Sequence, residues 1–381
     1  MNNERIFLPG STVGVMGGGQ LGRMFAIAAR RMGYRVHIFS PDEDTPAGQL
    51  ADMAVVSRYD DESAVRKFAR GVDVLTFEFE NIPSQTLAWC AEESTVRPGG
   101  RVLDICQHRL REKNFLRAAG VPLPRFMQVE SADKLRDAVA QLGTPCVLKT
   151  ASFGYDGKGQ AKIESGSDLD AVWAPMKGQT AVVEAWATFE KEISVLIARA
   201  ADGTTATYPV CENHHAHHIL DITTVPANVS ADVAMQACEL ARHIAVELEL
   251  VGLLAVEMFL LPNDQILVNE LAPRPHNSGH FSFDACITSQ FEQQLRAVCG
   301  LPLGSTDLLR PCAMVNLLGE VWSGGEPKWA AALEKDYVKL HLYGKSAPRP
   351  GRKMGHLVAF GDSPAVAAER ALAARAALTA R

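Results

Sequence analysis

The residues most suggestive of chemistry are two glutamates set inside apolar runs, Glu257 in "LAVEMFLL" and Glu270 in "ILVNELAPR". A carboxylate in an apolar strand is costly to bury unless a counter-charge or a metal ion takes it up. The short "PNDQ" segment between the two runs reads as a hairpin turn, which can put both carboxylates on one face. With Asn269 alongside they form an all-oxygen set suited to Mg2+. One such glutamate would often be structural; two on one hairpin favour a metal. Directly after the second acid, "NELAPRPHNSGH" packs Arg274, His276, Asn277 and His280 into a stretch of little apolar content. Burial stabilises such a stretch little, so contact with an anion or a substrate is the better reading.

Upstream, "VLKTASFGYDGKGQ" sets Lys149 at the end of a strand and follows it with Gly154, Gly157 and Gly159. Glycines so spaced let a backbone close over phosphates as a lid, or they form a flexible hairpin tip. Lys158 lies inside this loop, but no Ser or Thr follows it, so the loop is not a Walker A motif. A second glycine cluster opens the chain. In "TVGVMGGGQLGRM", Gly17, Gly19 and Gly22 match G-x-G-x-x-G, and Asp42 follows the next strand-like run, "RVHIFS". That is the dinucleotide-binding fingerprint, in which a helix N-terminus offers free N–H groups to a phosphate. The same glycines also suit a tight strand-to-helix turn, and the loop alone does not choose between NAD and another phosphate ligand. In "ENHHAHHIL", strand alternation turns His214 and His215 to opposite faces and no cysteine accompanies them. One histidine touching a ligand therefore fits better than a structural zinc.

The elements that must position these residues change along the chain. Over the first part, apolar runs ("TVGVMG", "RVHIFS", "MAVVS", "VDVLTFEF") alternate with helical stretches, as in a doubly wound parallel sheet. "DICQHRLREKNFLRAAG" reads as one helix ended by Gly120, and "VPLPR" breaks the chain after it. From 125 to 300, successive strands without intervening helices predict antiparallel pairing, with helices near 131–142, 231–249 and 284–299. "LPLGSTDLLRP" reads as a linker to three more strands and a closing Ala/Arg-rich surface helix. The expected division is 1–103, 104–305 and 306–381.

Composition narrows the function. The 381 residues suit two or three domains, and 47% hydrophobic with 22% charged residues excludes a disordered chain. A net charge of −6 argues against a general nucleic-acid binder. No apolar run approaches the roughly 20 residues that span a bilayer. The opening "MNNERIFLPGS" lacks a secretory pattern, and the eight cysteines form no C-x-x-C pair. The expectation is a cytoplasmic enzyme acting on small molecules.

Taken in order, "GGGQLGRM", "TFEFENIP", Arg109 to Lys113, "GYDGKGQ", "VVEAWATFEKEISV", "NELAPRPHNSGH", "SQFEQQLRA" and "RPGRKMGHL" resemble the ATP-grasp superfamily. Within it the chain is similar, over about residues 12 to 360, to the N5-carboxyaminoimidazole ribonucleotide synthetases, ATP-dependent carboxylases of purine biosynthesis. The resemblance implies a Rossmann-like pre-ATP-grasp domain, an ATP-grasp domain with a lid, and a small β-rich C-terminal domain. It implies ATP and Mg2+ as cofactors, 5-aminoimidazole ribonucleotide and bicarbonate as substrates, and a homodimer. By similarity, ATP would meet Arg109, Lys149, the lid from Gly154 through Tyr155, Asp156, Gly157, Lys158 and Gly159 to Gln160, and also His215, Asn269 and Glu270. Adenine would lie against the strand edge from Glu184 through Ala185 and Trp186 to Ala187, with Glu192 on the ribose. Glu257 and Glu270 would hold Mg2+. Gln20, Leu21, Glu78, His276, Lys345, Arg352 and Lys353 would hold the ribonucleotide, and Tyr155, Asp156, Lys158, Arg274 and His276 would serve the reacting centre. Relatives often carry arginine at the position of Lys158, and lysine cannot grip an anion bidentately. The rival readings are a formate-dependent glycinamide ribonucleotide transformylase of the same architecture and an NAD(P) oxidoreductase built on the opening loop.

Overall fold

The computed structural model describes residues 5–152 and 159–379. The apolar runs of the first part form five parallel strands, β1 (Thr12–Met16), β2 (Arg35–Ser40), β3 (Met53–Val56), β4 (Val74–Phe77) and β5 (Thr95–Val96), in the order β3-β2-β1-β4-β5. Both faces of β1 and β4 are covered, which is why these strands read as continuous apolar runs rather than alternating ones. The helix Gln20–Arg31 springs from the turn after β1 and buries Met24, Phe25 and Ala28 against the sheet.

The single helix expected after residue 104 is two: Gly100–Cys106 and Arg109–Ala118. His108 adopts an extended backbone, pairs with Ser152 as an isolated bridge, and caps the second helix by accepting from Arg111 N–H at 3.4 Å. The break restarts the helix at Arg109 and so sets that residue on its first turn. A second correction concerns 284–299, where a short turn of helix, Ser282–Ala285, is separated from Gln290–Cys299. Cys286 is extended and bridged to Leu308, and the Ser289 hydroxyl caps the new helix through Glu292 N–H.

The middle of the chain builds two antiparallel sheets. The smaller holds β6 (Phe126–Val129), β7 (Cys146–Thr150), β8 (Gln160–Ile163) and β9 (Ala181–Ala185) in the order β6-β9-β7-β8. The larger has nine strands: β10 (Lys191–Arg199), β11 (Thr205–Thr207), β12 (Cys211–Ala216), β13 (Ile219–Val225), β14 (Gly252–Leu260), β15 (Ile266–Ala272), β16 (Cys312–Leu318), β17 (Val338–Leu342) and β18 (Lys353–Phe360). Their order is β15-β14-β10-β12-β13-β16-β18-β17, with β11 also paired to β10. Ile193, Val195 and Ile197 pack beneath Val233, Ala237, Ala241 and Ile244 of the helix Ala231–Glu247, while Leu196 and Ala198 join a different core on the opposite face. Period-2 alternation thus turns Glu192 and Ser194 away from that helix.

The three C-terminal strands extend this same sheet through β13 and β16 instead of closing a sheet of their own. The final helix, Pro364–Ala377, lays Ala367, Ala371 and Ala374, all fully buried, on Val315, Leu357 and Ala359. Small side chains let the helix approach closely, which accounts for its alanine content. Among the described residues no helix is long and apolar enough to cross a membrane.

Candidate active site

A cavity of about 980 Å³ opens between the two antiparallel sheets and reaches the parallel one. Its first wall comes from β7, β9 and the helix Arg109–Ala118. Arg109, Glu112 and Lys113 stand at i, i+3 and i+4, so they share one helical face. Lys113, fully buried behind the lining, and Lys149 at the end of β7 both reach the Glu184 carboxylate, at 3.1 and 3.2 Å. Burial opposes ionisation of Glu184, but Lys149, Lys113 and Arg109 outweigh it and hold the carboxyl down at about 2. Two lysines and an arginine face one glutamate here, so the wall carries surplus positive charge. Two buried atoms on it, Arg109 Nε and Glu184 Oε1, have no hydrogen-bond partner among the described residues. Sequence reasoning took Arg109 from this helix and missed Lys113 and Glu112, although their spacing is the signal for one shared face.

The opposite wall is the hairpin of β14 and β15. Its turn uses Asn263 and Asp264 at φ 78° and 61°, the positive values a tight two-residue hairpin demands. Glu257 lies directly across from Glu270, as the sequence suggested. Met258 then pairs with Val268, which leaves Asn269 as the extra residue of a bulge. Bulges re-aim side chains, and this one brings Asn269 to the cavity lining beside Glu270. Burial, and then the facing Glu270, push the Glu257 carboxyl well above the usual range. The Asn269 Oδ1 atom is buried without a partner among the described residues. Two facing carboxylates and an unpaired amide oxygen fit a hard divalent cation such as Mg2+. Among the described residues no three His, Cys, Asp or Glu gather as a metal cluster.

The "APRPHNSGH" segment folds over the end of this wall. Arg274 forms a bidentate pair with Glu80, with Nη2 donating to Oε1 at 2.8 Å and Nε to Oε2. Burial alone would raise Glu80, yet Arg274 beside it holds the carboxyl below the usual range. Glu80 was missed at the sequence level, though it sits in the quoted string "TFEFENIP". His276 places Nε2 at 3.1 Å from Glu257 Oε1, and burial pushes its ring well below the ordinary histidine range. Gln290 clamps the His276 backbone, accepting from its N–H at 2.9 Å and donating to its carbonyl at 2.8 Å.

One end of the cavity is aromatic. Phe189 stacks on Phe259 at 4.6 Å between centroids, and Lys162 Nζ stands 4.7 Å over the Trp186 ring. His215 Nδ1 meets Glu192 at 2.6 Å, while His214 is exposed. The strand edge expected at Glu184 is absent, because β9 lies inside its sheet between β6 and β7. Past the strand's end the Trp186 N–H still donates to the Pro145 carbonyl at 3.2 Å, and the backbone leaves the ladder only at Ala187. Gly159 and Gln160 line the cavity, and a Cβ on Gly159 would sit 2.6 Å from the Thr150 hydroxyl. Gly154, Tyr155, Asp156, Gly157 and Lys158 lie outside the described residues.

At the parallel sheet, the opening loop departs from its fingerprint. The N–H groups of Gly19 and Gly22 donate to the two oxygens of the buried Glu78 carboxylate, at 2.5 and 3.0 Å. A Cβ on Gly19 would stand 2.6 Å from Glu78 Oε1, so glycine is required for the side chain to enter. The amides expected to face a phosphate therefore serve Glu78, and Asp42 is exposed at the surface. Gln20 and Leu21 still line the cavity, with Glu78 and Lys353. Lys345 donates to Gln20 Oε1 at 2.7 Å and to the Lys353 carbonyl at 2.6 Å, tying the C-terminal strands to the opening loop. Lys345 and Arg352 stand behind the lining, and Arg352 donates to the Ala347 carbonyl at 2.7 Å.

Three family models match in succession: a ribonucleotide synthetase preATP-grasp domain at 11–107, an ATP-grasp domain at 114–291, and a phosphoribosylaminoimidazole carboxylase C-terminal domain at 312–370. The N5-carboxyaminoimidazole ribonucleotide synthase of Bacillus subtilis is 44% identical over 355 residues, 93% of each chain. The Staphylococcus aureus N5-carboxyaminoimidazole synthetase, solved with ADP, superposes with a TM-score of 0.92 at 36% identity, over 97% of this chain and 98% of that one. The Aspergillus clavatus synthase, solved with ADP and 5-aminoimidazole ribonucleotide, gives 0.88 at 31% identity, over 97% and 99%. Likeness at this level across nearly the whole length leaves one assignment: the chain belongs to the N5-carboxyaminoimidazole ribonucleotide synthase family of ATP-grasp, ATP-dependent ligases.

Proposed function

We propose that the protein carboxylates 5-aminoimidazole ribonucleotide to N5-carboxyaminoimidazole ribonucleotide, using ATP and bicarbonate, in purine biosynthesis. The observation that carries this reading is one cavity in which cations (Arg109, Lys149) meet a carboxylate hairpin (Glu257, Glu270), Arg109 Nη1 standing 3.5 Å from Glu270 Oε2. A polyphosphate with a divalent cation needs both signs at that distance scale, whereas the fingerprint loop of an NAD enzyme is closed here by Glu78.

Bicarbonate is a poor electrophile because its leaving group would be hydroxide. When its oxygen attacks the γ-phosphorus, ADP leaves and carboxyphosphate forms, whose leaving group is phosphate. Such a transfer needs alignment and charge stabilisation more than covalent help from the protein. Arg109 and Lys149 would hold the phosphates, and Glu192 with His215 the ribose. Trp186 and Ala187 would hold the base, beside the stacked Phe189 and Phe259. Glu257, Glu270 and Asn269 would hold Mg2+, which when bound neutralises phosphate charge. Gln20, Leu21, Glu78 and Lys353 would hold the ribonucleotide, supported by Lys345 and Arg352. The lid from Gly154 to Gln160 would exclude water from carboxyphosphate, with Tyr155, Asp156 and Lys158 at the reacting centre beside Arg274 and His276. The exocyclic amine then attacks the carboxyl carbon, phosphate departs, and the nitrogen gives up a proton.

The test is ADP release with 5-aminoimidazole ribonucleotide, with and without bicarbonate. Bicarbonate-dependent release is expected; formate-dependent turnover, or none with this nucleotide, overturns the assignment. The division at 1–103, 104–305 and 306–381, a cytoplasmic location and a homodimer belong to the same reading, and sedimentation equilibrium checks the last.

A further inference from the structure

Both ring nitrogens of His276 are engaged, and a backbone N–H fixes the role of one of them. The Ser278 backbone N–H points at Nδ1 from 3.3 Å, and the Ser278 hydroxyl lies 2.9 Å from the same atom. A backbone N–H can only donate. Nδ1 is therefore an acceptor and bears no proton, which leaves the ring proton on Nε2, facing Glu257 Oε1.

Behind Ser278 the pattern continues through groups that line no part of the cavity. The Thr223 hydroxyl donates to Asn213 Oδ1 at 2.9 Å, and Asn213 Nδ2 donates to Ser194 Oγ at 2.9 Å. Ser194 Oγ donates to Ser278 Oγ at 3.0 Å, which frees the Ser278 proton for His276. All four residues are buried. The chain also has a direction. With the Asn213 amide reversed, Ser194 would give its proton to the amide oxygen, Ser278 would give its proton to Ser194, and His276 would lose that donor. The path leaves the large sheet at Ser194, crosses the loop at Ser278 and His276, and returns at Glu257, the residue registered opposite Ser194.

We propose that Thr223, Asn213, Ser194 and Ser278 are positioning residues of the active centre, a one-way hydrogen-bond chain that fixes His276 as the Nε2–H tautomer and aims that proton at Glu257. His276 then acts as a hydrogen-bond donor and not as a general base. It orients Glu257 through one oxygen and leaves the second for a cation. Buried polar groups with no ligand to touch, set in one line ending on the candidate cation site, are otherwise an expensive choice for a core.

The inference rests on the functional reading above only for its kinetic arm. Two readouts keep the two apart. In the full-length protein without substrate, 15N-histidine labelling should show the His276 ring (the signal lost in His276→Gln) as neutral with the proton on Nε2. A proton on Nδ1 overturns the chain, whatever the enzyme carboxylates. In bicarbonate-dependent ADP release, Asn213→Asp, which can accept but not donate, should lower kcat by about 10–100-fold with little change in KM for ATP. Thr223→Val keeps the packing and deletes the hydroxyl, and Thr223→Ser does the reverse. A directional chain predicts a loss of about 10-fold for Val and within about 2-fold for Ser. The opposite order, or an unchanged kcat in Thr223→Val, would show that these residues only pack. If no variant or wild type turns over 5-aminoimidazole ribonucleotide, the functional reading fails while the tautomer result stands.

Discussion

Two carboxylates line the same cavity and are displaced in opposite directions. Glu184, on the four-stranded sheet, is held down at about 2 because Lys149, Lys113 and Arg109 outweigh its burial. Glu257, on the nine-stranded sheet, is pushed up by burial and by Glu270 across the hairpin. Both sit among apolar strands, so local sequence does not distinguish them. The difference lies in what the facing element contributes. Glu184 is met by two lysines and an arginine, whereas Glu257 is met by a second acid, Glu270, which itself stands 3.5 Å from Arg109. The first wall therefore keeps surplus positive charge, whereas the hairpin sets two carboxylates together, reached from the opposite wall by Arg109.

Breaking the carboxylate side should have the largest effect. Glu270→Gln should lower ATP turnover by about 100-fold or more, since several kcal/mol of charge stabilisation goes with the cation. Normal ADP release with unchanged magnesium dependence in that variant would remove the metal assignment. Breaking the cationic side should show in stability first. Lys113→Met strips the fully buried Lys113 from Glu184 and should destabilise the protein by about 3 kcal/mol, read from urea unfolding. Adding Glu184→Gln should then restore part of the loss; a double variant worse than the single would contradict the pairing.

Titration sharpens the contrast. Burial raises the Glu112 carboxyl from 4.5 to about 8, so the folded protein keeps a proton that the unfolded chain releases. Its contribution is complete below the unfolded value and fades as pH rises through about 8, while that of Glu184 is present above the unfolded value and is lost on acidification toward about 2. Thermal melts on the alkaline limb should thus show wild type losing stability relative to Glu112→Gln as pH climbs; parallel curves would count against the raised carboxyl. The smallest effect belongs to the seam between the walls. Phe189→Leu removes the stack on Phe259 and should raise KM for ATP by about 3–10-fold with kcat little changed.

The sequence made much of this legible. Parallel strands came from continuous apolar runs, and the hairpin and its paired acids from Glu257, "PNDQ" and Glu270. What it hid were relations across elements. The opening "GGGQLG" carried the dinucleotide spacing, but that spacing cannot say which acceptor the amides meet. Glu78 fills them from another strand. The strand edge at Glu184 failed likewise, because strand order, not strand identity, decides which backbone is free. Lys113 and Glu80 stood inside strings that were read, yet their partners lie far along the chain at Glu184 and Arg274.

By itself, then, the sequence determined the elements, the family motifs and the chemical types gathered in them, because periodicity, turn residues and charge are local properties. Only the tertiary structure decided which charge meets which. It placed Asn269 in a bulge, gave Glu78 to the opening loop, put Glu184 between two lysines, and tied Thr223 through Ser278 to His276. Electrostatic partners and hydrogen-bond direction depend on distances between segments far apart in the chain, and those distances exist only once the sheets have packed.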